Sequence, residues 1–255
     1  MWIEELTPEQ EALIPSFRDK WIEIAFSIEP IDRGKVGDAV KRLYKLIKIQ
    51  EPNIYFSRSP DDALNMFIRQ IQLPSQELNH SLPWESLRQQ ITEIYGNPLS
   101  MELRYELLQT LYNRINQQVK DELMSQIDED LYDRRAGDIF IGIFKFEPMH
   151  LLSQQLYSNL INQMRKKLSI FKFLPDYFIQ REYWIEETKC LDFFISALHC
   201  DIEPERWEVL NSILTECGWI YPFDKACFIC DRPTEINFNP VRLKVDKKII
   251  VKFSD

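Results

Sequence analysis

From Leu103 onward an apolar residue stands at every fourth position: Leu103, Leu107, Leu111, Ile115, Val119, Leu123, Ile127 and Leu131. The spacing returns at Leu152, Leu156, Leu160, Met164 and Leu168. A strand would turn Tyr105, Gln109, Asn113, Gln117, Asp121, Ser125 and Glu129 onto the same face, and nearly all of these are polar. The repeat therefore predicts helix. Four residues turn an α-helix by about 400°, so the stripe creeps by about 40° per repeat. Over the first run it would travel most of the way round the axis. The segment from Leu103 to Leu131 is thus expected to be interrupted, or contacted on more than one side, and to form core helices rather than a dedicated oligomerisation rod.

Other helices announce themselves by their ends. Thr7-Pro8 with Gln10 has the spacing of a capping box, and Leu13, Phe17, Trp21 and Ile24 then share a face, with Pro15 as a kink or restart. DRGKVGDAVKRLYKLIK puts Val36, Val40, Leu43 and Ile47 inward and Lys41, Lys45 and Lys48 outward. Ile54-Tyr55-Phe56 reads as a short strand, and Ser59-Pro60 caps a helix carrying Ala63, Leu64, Phe67, Ile68 and Ile71 on its buried side. PWESLRQQITEIYG, WIEETKCLDFFISALHC and PERWEVLNSILTEC follow as helices, the last stopped by Gly218 at C′. DIFIGIFKFEP is a strand or buried connector.

From Trp219 the texture is β, in CFIC, TEINF, VRLKV and KKIIVKF, the last two forming a terminal hairpin. The expected fold class is α+β and mainly α, a helical body with a small C-terminal antiparallel sheet or hairpin. Its regions are 1–98, helical with one β-α step; 99–218, the leucine repeat; and 219–255, the β region, all within one domain or as separate units.

Charge and glycine content narrow the chemistry. Basic residues number 31 against 40 acidic ones, a net charge of −9, which repels nucleic acid unless one face is locally basic. The 6 glycines are scattered and assemble no phosphate loop. Met1-Trp-Ile-Glu-Glu lacks a cationic stretch followed by an apolar one, and no apolar run reaches the ~18 residues of a membrane span. With five cysteines read as reduced thiols, a cytoplasmic location is expected and membrane partners are not.

CFICDRP places Cys227 and Cys230 three apart. On a regular strand they point to opposite faces, so a shared metal needs a turn between them, and Phe228-Ile229 is poor turn chemistry. Buried structural cysteines are the default reading. Structural zinc, with Cys217 and His199 completing the ligands of Cys227 and Cys230, is the alternative, and a redox pair is a third. His199 otherwise reads as a helix-end residue, and Asp61-Asp62 and Glu186-Glu187 as a helix start and a solvated face. Two basic patches stand out. Lys35, Lys41, Arg42, Lys45 and Lys48 form one, and Arg242, Lys244, Lys247, Lys248 and Lys252 the other.

Taken together, LTPEQEALIPSFRDKW with EPIDR, EPNIYFSRSPDDAL, the leucine repeats, LDFFISALHC and CGWIYPFDKACFICDRPT resemble a family of cyanobacterial proteins catalogued only as a domain of unknown function. The resemblance runs over nearly the whole chain and implies a bacterial cytoplasm but no activity. Members of that family continue past the point where this chain stops at Ser254-Asp255, which implies a covered C-terminal sheet edge in them and an open one here.

The expected function is a non-enzymatic interaction module, an adaptor or scaffold component, with another protein or a second copy as partner. Lys41, Lys45, Lys48, Lys244, Lys248 and Lys252 are the candidate contact residues, and no cofactor is expected beyond the zinc alternative. An enzyme centred on Cys217 to Arg232, or a nucleic-acid binder using the Lys35 to Lys48 helix, are the rivals.

Overall fold

The computed structural model describes residues 2–70, 84–120, 123, 152, 156–158, 177–237 and 250–254. The α+β, mainly helical class read from the sequence is the one observed.

The amino terminus folds as its end signals require. Thr7 accepts from the Gln10 N–H while the Gln10 side chain accepts from the Thr7 N–H, closing the box that starts α1 (Pro8–Glu11). The chain then restarts at Pro15 as α2 (Ile14–Ala25), which buries Trp21 and Ala25. Leu13, expected inward, is exposed because it falls in the break between the two helices. Asp32 caps α3 (Arg33–Leu46) by accepting from the Gly34 and Lys35 N–H groups, and Val36, Val40, Leu43 and Tyr44 face the core. The end of α3 is a Schellman motif, with Ile49 N–H on the Tyr44 carbonyl and Lys48 N–H on that of Lys45. Lys48 takes the left-handed position at φ 59°.

β1 (Asn53–Ser57) leads into α4 (Pro60–Gln70), whose first turn is capped by Ser59 Oγ accepting from the Asp62 N–H. After α5 (Trp84–Tyr95), Gly96 turns at φ 83° against the Asp224 side chain. The leucine repeat then begins in α6 (Ser100–Arg104), opens into a π-helical turn over Tyr105–Gln109, and returns to α7 (Thr110–Ile115).

That π-turn answers the drift of the stripe. Closing each hydrogen bond one residue later makes each residue turn the chain by less than the ~100° of an α-helix, which subtracts the excess that a four-residue repeat accumulates. Leu103, Leu107, Leu111 and Ile115 are all buried as a result, and the wide turn brings Leu108 inward beside Leu107. The interruption continues at Val119, which leaves the helix and bridges to Ile3. Leu123, Leu152 and Leu156 are buried too. Ile127, Leu131, Leu160, Met164, Leu168 and the DIFIGIFKFEP segment lie outside the described residues.

The second half supplies α8 (Arg181–Ser196), α9 (Pro204–Glu216), β2 (Ile220–Pro222), β3 (Ala226–Cys230), β4 (Glu235–Asn237) and β5 (Ile250–Lys252). The larger sheet has the order β1-β3-β2, with β2 antiparallel to β3 and β1 parallel to it in the register Asn53↔Ala226 to Ser57↔Cys230. It is therefore mixed, and it recruits a strand from the amino-terminal third through the crossover that a parallel pair demands. Strand β5 pairs antiparallel with β4, Ile236 opposite Val251, whereas the expected VRLKV strand lies outside the described residues.

Alternation along β3 divides the core. Cys227 and Ile229 join the cluster of Trp21, Val40, Leu43, Leu107, Phe193 and Ile213 on one face of the sheet, and Phe228 and Cys230 join that of Ala63, Leu64, Ile91, Tyr95 and Trp219 on the other. The first cluster draws on residues from Ile14 to Ile229. Gly218 does sit at C′ of α9, but its backbone is not left-handed there. A Cβ would lie 2.2 Å from the Cys230 carbonyl oxygen, so close approach of two backbones explains the glycine.

Candidate functional site

Helix α8 concentrates charge where it is least solvated. Arg181, Glu182, Lys189 and Asp192 are each at most 2 % exposed. Asp192 Oδ2 accepts from the Trp21 indole at 2.9 Å and the Lys20 ammonium at 2.7 Å, and its Oδ1 accepts from Ser196 Oγ at 2.8 Å. Glu182 accepts from the Trp219 indole at 2.8 Å and lies 3.5 Å from Arg181 Nε.

Arg181 and Arg232 meet the ends of two helices. Arg181 Nη2 donates to the carbonyl of Ala25, the last residue of α2 (2.9 Å), and Arg232 Nη1 donates to Ser27 Oγ just beyond it (3.0 Å). The other Arg232 nitrogen donates to the Thr215 carbonyl in the last turn of α9. Carbonyls at a helix C-terminus carry partial negative charge, so two guanidinium groups complete two dipoles that end in the core. Burial lowers the pKa of both arginines. Glu182 counters it at Arg181 and Glu216 at Arg232, while the two guanidinium groups work against each other across Arg181. Cys217 lies in the same field, its thiol pushed up to about 12 by desolvation although both arginines pull it down.

Placement of the metal candidates follows the strand geometry. Cys227 and Cys230 are fully buried on opposite faces of β3, Cys217 faces the Cys227 side, and His199 is exposed at φ 55° beyond the end of α8. Desolvation raises the Cys227 thiol strongly and that of Cys230 to about 12, so both stand as protonated, apolar packing atoms. No group of three or more His, Cys, Asp or Glu is placed to hold a metal ion among the described residues. Purified protein is expected to contain well under one zinc per chain by elemental analysis. Cys227→Ser, which buries a hydroxyl beside Tyr44, is expected to cost about 1–3 kcal/mol like other buried polar changes. Stoichiometric zinc whose chelation unfolds the protein would restore the metal reading.

The described lysine candidates lie at α3 and on β5. Lys41, 4.0 Å from Glu51, and Lys45 are exposed on α3, and Lys48 is exposed just beyond its end. Lys252 pairs with Glu235 across β4 and β5 at 2.5 Å. Lys244 and Lys248 lie outside the described residues, as do His80, His150, Arg242 and Lys247.

A surface that lysine counting passes over stands on α6 and its π-turn. Met101 and Tyr105, one turn apart, are 64 % and 60 % exposed. Beside them Arg104 spans to α8, its guanidinium 5.7 Å from the Tyr183 ring centroid and 2.6 Å from Glu187, and Tyr183 is half exposed. Tyr112 donates to the Glu187 carbonyl at 2.9 Å and braces the same junction. Next to it a groove of about 280 Å³ runs over Thr110, Leu111, Arg114, Ile202, Glu203 and Arg206. Its cations are committed: Arg114 to Asp201 at 2.6 Å, and Arg206 to Glu203 at 2.5 Å and Glu106 at 2.7 Å. The only sequence signal for this surface was Tyr105, an aromatic on the otherwise polar face of the leucine repeat.

No helix among the described residues is long and apolar enough to cross a membrane. Compared with protein-family models, curated proteins and solved structures, the chain matches none.

Proposed function

We propose that the protein is a non-enzymatic interaction module, an adaptor or scaffold component, that binds another protein through Met101, Arg104, Tyr105 and Tyr183. The observation that carries this is the exposure of Met101 on α6 and of Tyr105 at the start of the π-turn that follows it. Met, Tyr and Arg are the residue types enriched at protein interfaces, and a π-turn braced on both sides presents them with little conformational entropy left to lose. Such a surface suits a few anchors inserted into a partner's pockets.

The region from Cys217 to Arg232, where an enzyme would be sought, holds three buried thiols and one arginine, with Arg181 of α8 beside Cys217. Burial holds its thiols protonated, and Arg181 and Arg232 each give a hydrogen bond to a carbonyl at a helix end, which leaves no activated nucleophile to offer. Along α3, Lys41 has an acidic neighbour in Glu51 at 4.0 Å, which partly offsets the basic face against a polyanion.

A photo-crosslinking side chain placed at Tyr105 is expected to yield a discrete protein adduct in cells, and one at Asn113, on the polar continuation of the same face, is not. Met101→Glu with Tyr105→Glu should weaken binding of the captured protein by about 30-fold or more, the scale of a lost hot spot, with the helical signal unchanged. Equal adducts from both positions, or binding indifferent to the double substitution, would sink the proposal.

A further inference from the structure

The edge of the three-stranded sheet carries a second inference, independent of the Tyr105 surface. Of its two margins, the β2 side is closed, by bridges from Ile179 to Ile220 and from Pro98 to Phe223, and by the Leu99 N–H on the Pro222 carbonyl. On the β1 side no further strand pairs among the described residues. Asn53 N–H donates to the Lys225 carbonyl and Asp231 N–H to that of Ser57, which fixes the ladder: the amides of residues 53, 55 and 57 face β3, and those of Ile54 and Phe56 face outward. Neither Ile54 nor Phe56 has an outward hydrogen bond among the described residues, and both side chains remain partly exposed. Asn53–Ser57 itself carries no charge and no proline; the usual guards of an edge are limited to its surroundings, Pro52 just before the strand and the Arg33 guanidinium 5.1 Å from the Phe56 ring centroid.

Charges stand instead at the two ends. Glu51 precedes the strand and Arg58 follows it, each mostly exposed; Glu51 lies 4.0 Å from Lys41, and Arg58 is joined to Asp62 through its side chain at 3.5 Å and its backbone N–H at 3.1 Å. An antiparallel copy of the strand brings its acidic end against the basic end of the other. A parallel copy opposes like charges.

We infer that β1 pairs antiparallel with β1 of a second copy about a two-fold axis through Tyr55, giving a homodimer with a continuous six-stranded sheet. Ile54 of one copy faces Phe56 of the other and exchanges both of its backbone hydrogen bonds with it. Every contact occurs twice, so a charge reversal counts twice.

Sedimentation equilibrium on the full chain should show a concentration-dependent monomer–dimer transition. Amide exchange at Ile54 and Phe56 should slow as dimer forms, while Tyr55, bonded to β3 in either state, stays unchanged. Glu51→Arg and Arg58→Glu, both at exposed positions, should each weaken dimerisation roughly tenfold, and the double exchange should restore it. A chain that stays monomeric to millimolar concentration, a dimer in which Ile54 and Phe56 exchange as in the monomer, or reversals without effect would each overturn the inference.

Discussion

Raising the pH from 8 to 10 in the presence of reductant is expected to remove about 4 kcal/mol of folding stability, most of it above pH 9. Cys217, Cys227 and Cys230 are completely buried, and desolvation lifts all three thiols well above the ordinary 9.0, to about 12 for Cys217 and Cys230. The native state therefore keeps these protons at pH 10, while the unfolded chain has released them. Stability falls wherever the unfolded state binds fewer protons. The contribution is thus fully present below the unfolded value, and is lost as pH rises toward the folded one, by about 1.4 kcal/mol per thiol per pH unit. Cys200, raised to about 11, adds to the same slope, and Tyr44 and Tyr221, both raised by burial, extend it above pH 10. Urea midpoints at the two pH values measure the loss. Each single Cys→Ala variant should recover its own share, and a slope unchanged by all three would show that other groups titrate.

Asp192→Ala is expected to cost about 1–3 kcal/mol, the usual result of leaving a buried donor without its acceptor. The carboxylate is the common acceptor of Trp21, Lys20 and Ser196, and the indole it satisfies is itself fully buried. Lys20 can return its ammonium to water, being half exposed, so most of the loss comes from stranding the Trp21 N–H and opening space beside it. A cycle with Trp21→Phe separates these causes. The coupling between the two positions should exceed 1 kcal/mol by chemical denaturation at constant m-value, and additivity would show that Asp192 acts elsewhere.

Much of the helical half was legible because its determinants are local. A capping box at Thr7 and Gln10, Ser59-Pro60 before α4 and the period of the buried face each involve residues within one or two turns of one another. The four-residue repeat even announced that its helix would be interrupted or contacted on more than one side. It did not say by what means, since a π-turn at Tyr105–Gln109 and a bridge to Ile3 are two ways to absorb one excess of rotation. The strand parity of Cys227 and Cys230 was likewise readable, because alternation is a property of the strand alone.

What the sequence determined by itself, then, is where elements begin and end, which face of each is apolar, and that the class is α+β with helices dominant. The tertiary structure alone decided that β1 joins β3 from far away in the chain, that Gly218 is required by the Cys230 carbonyl rather than by its own torsions, and that Arg181, Glu182, Lys189 and Asp192 belong to the core. In sequence those four charges look like the solvated face of a helix. The fate of Arg181, Glu182 and Asp192 depends on the end of α2, the Trp219 indole and the Trp21 indole, partners as far as 171 residues apart. Short-range spacing specifies local geometry, whereas the burial of a charge is tolerated only where distant groups arrive to satisfy it, and that arrival is a property of the fold.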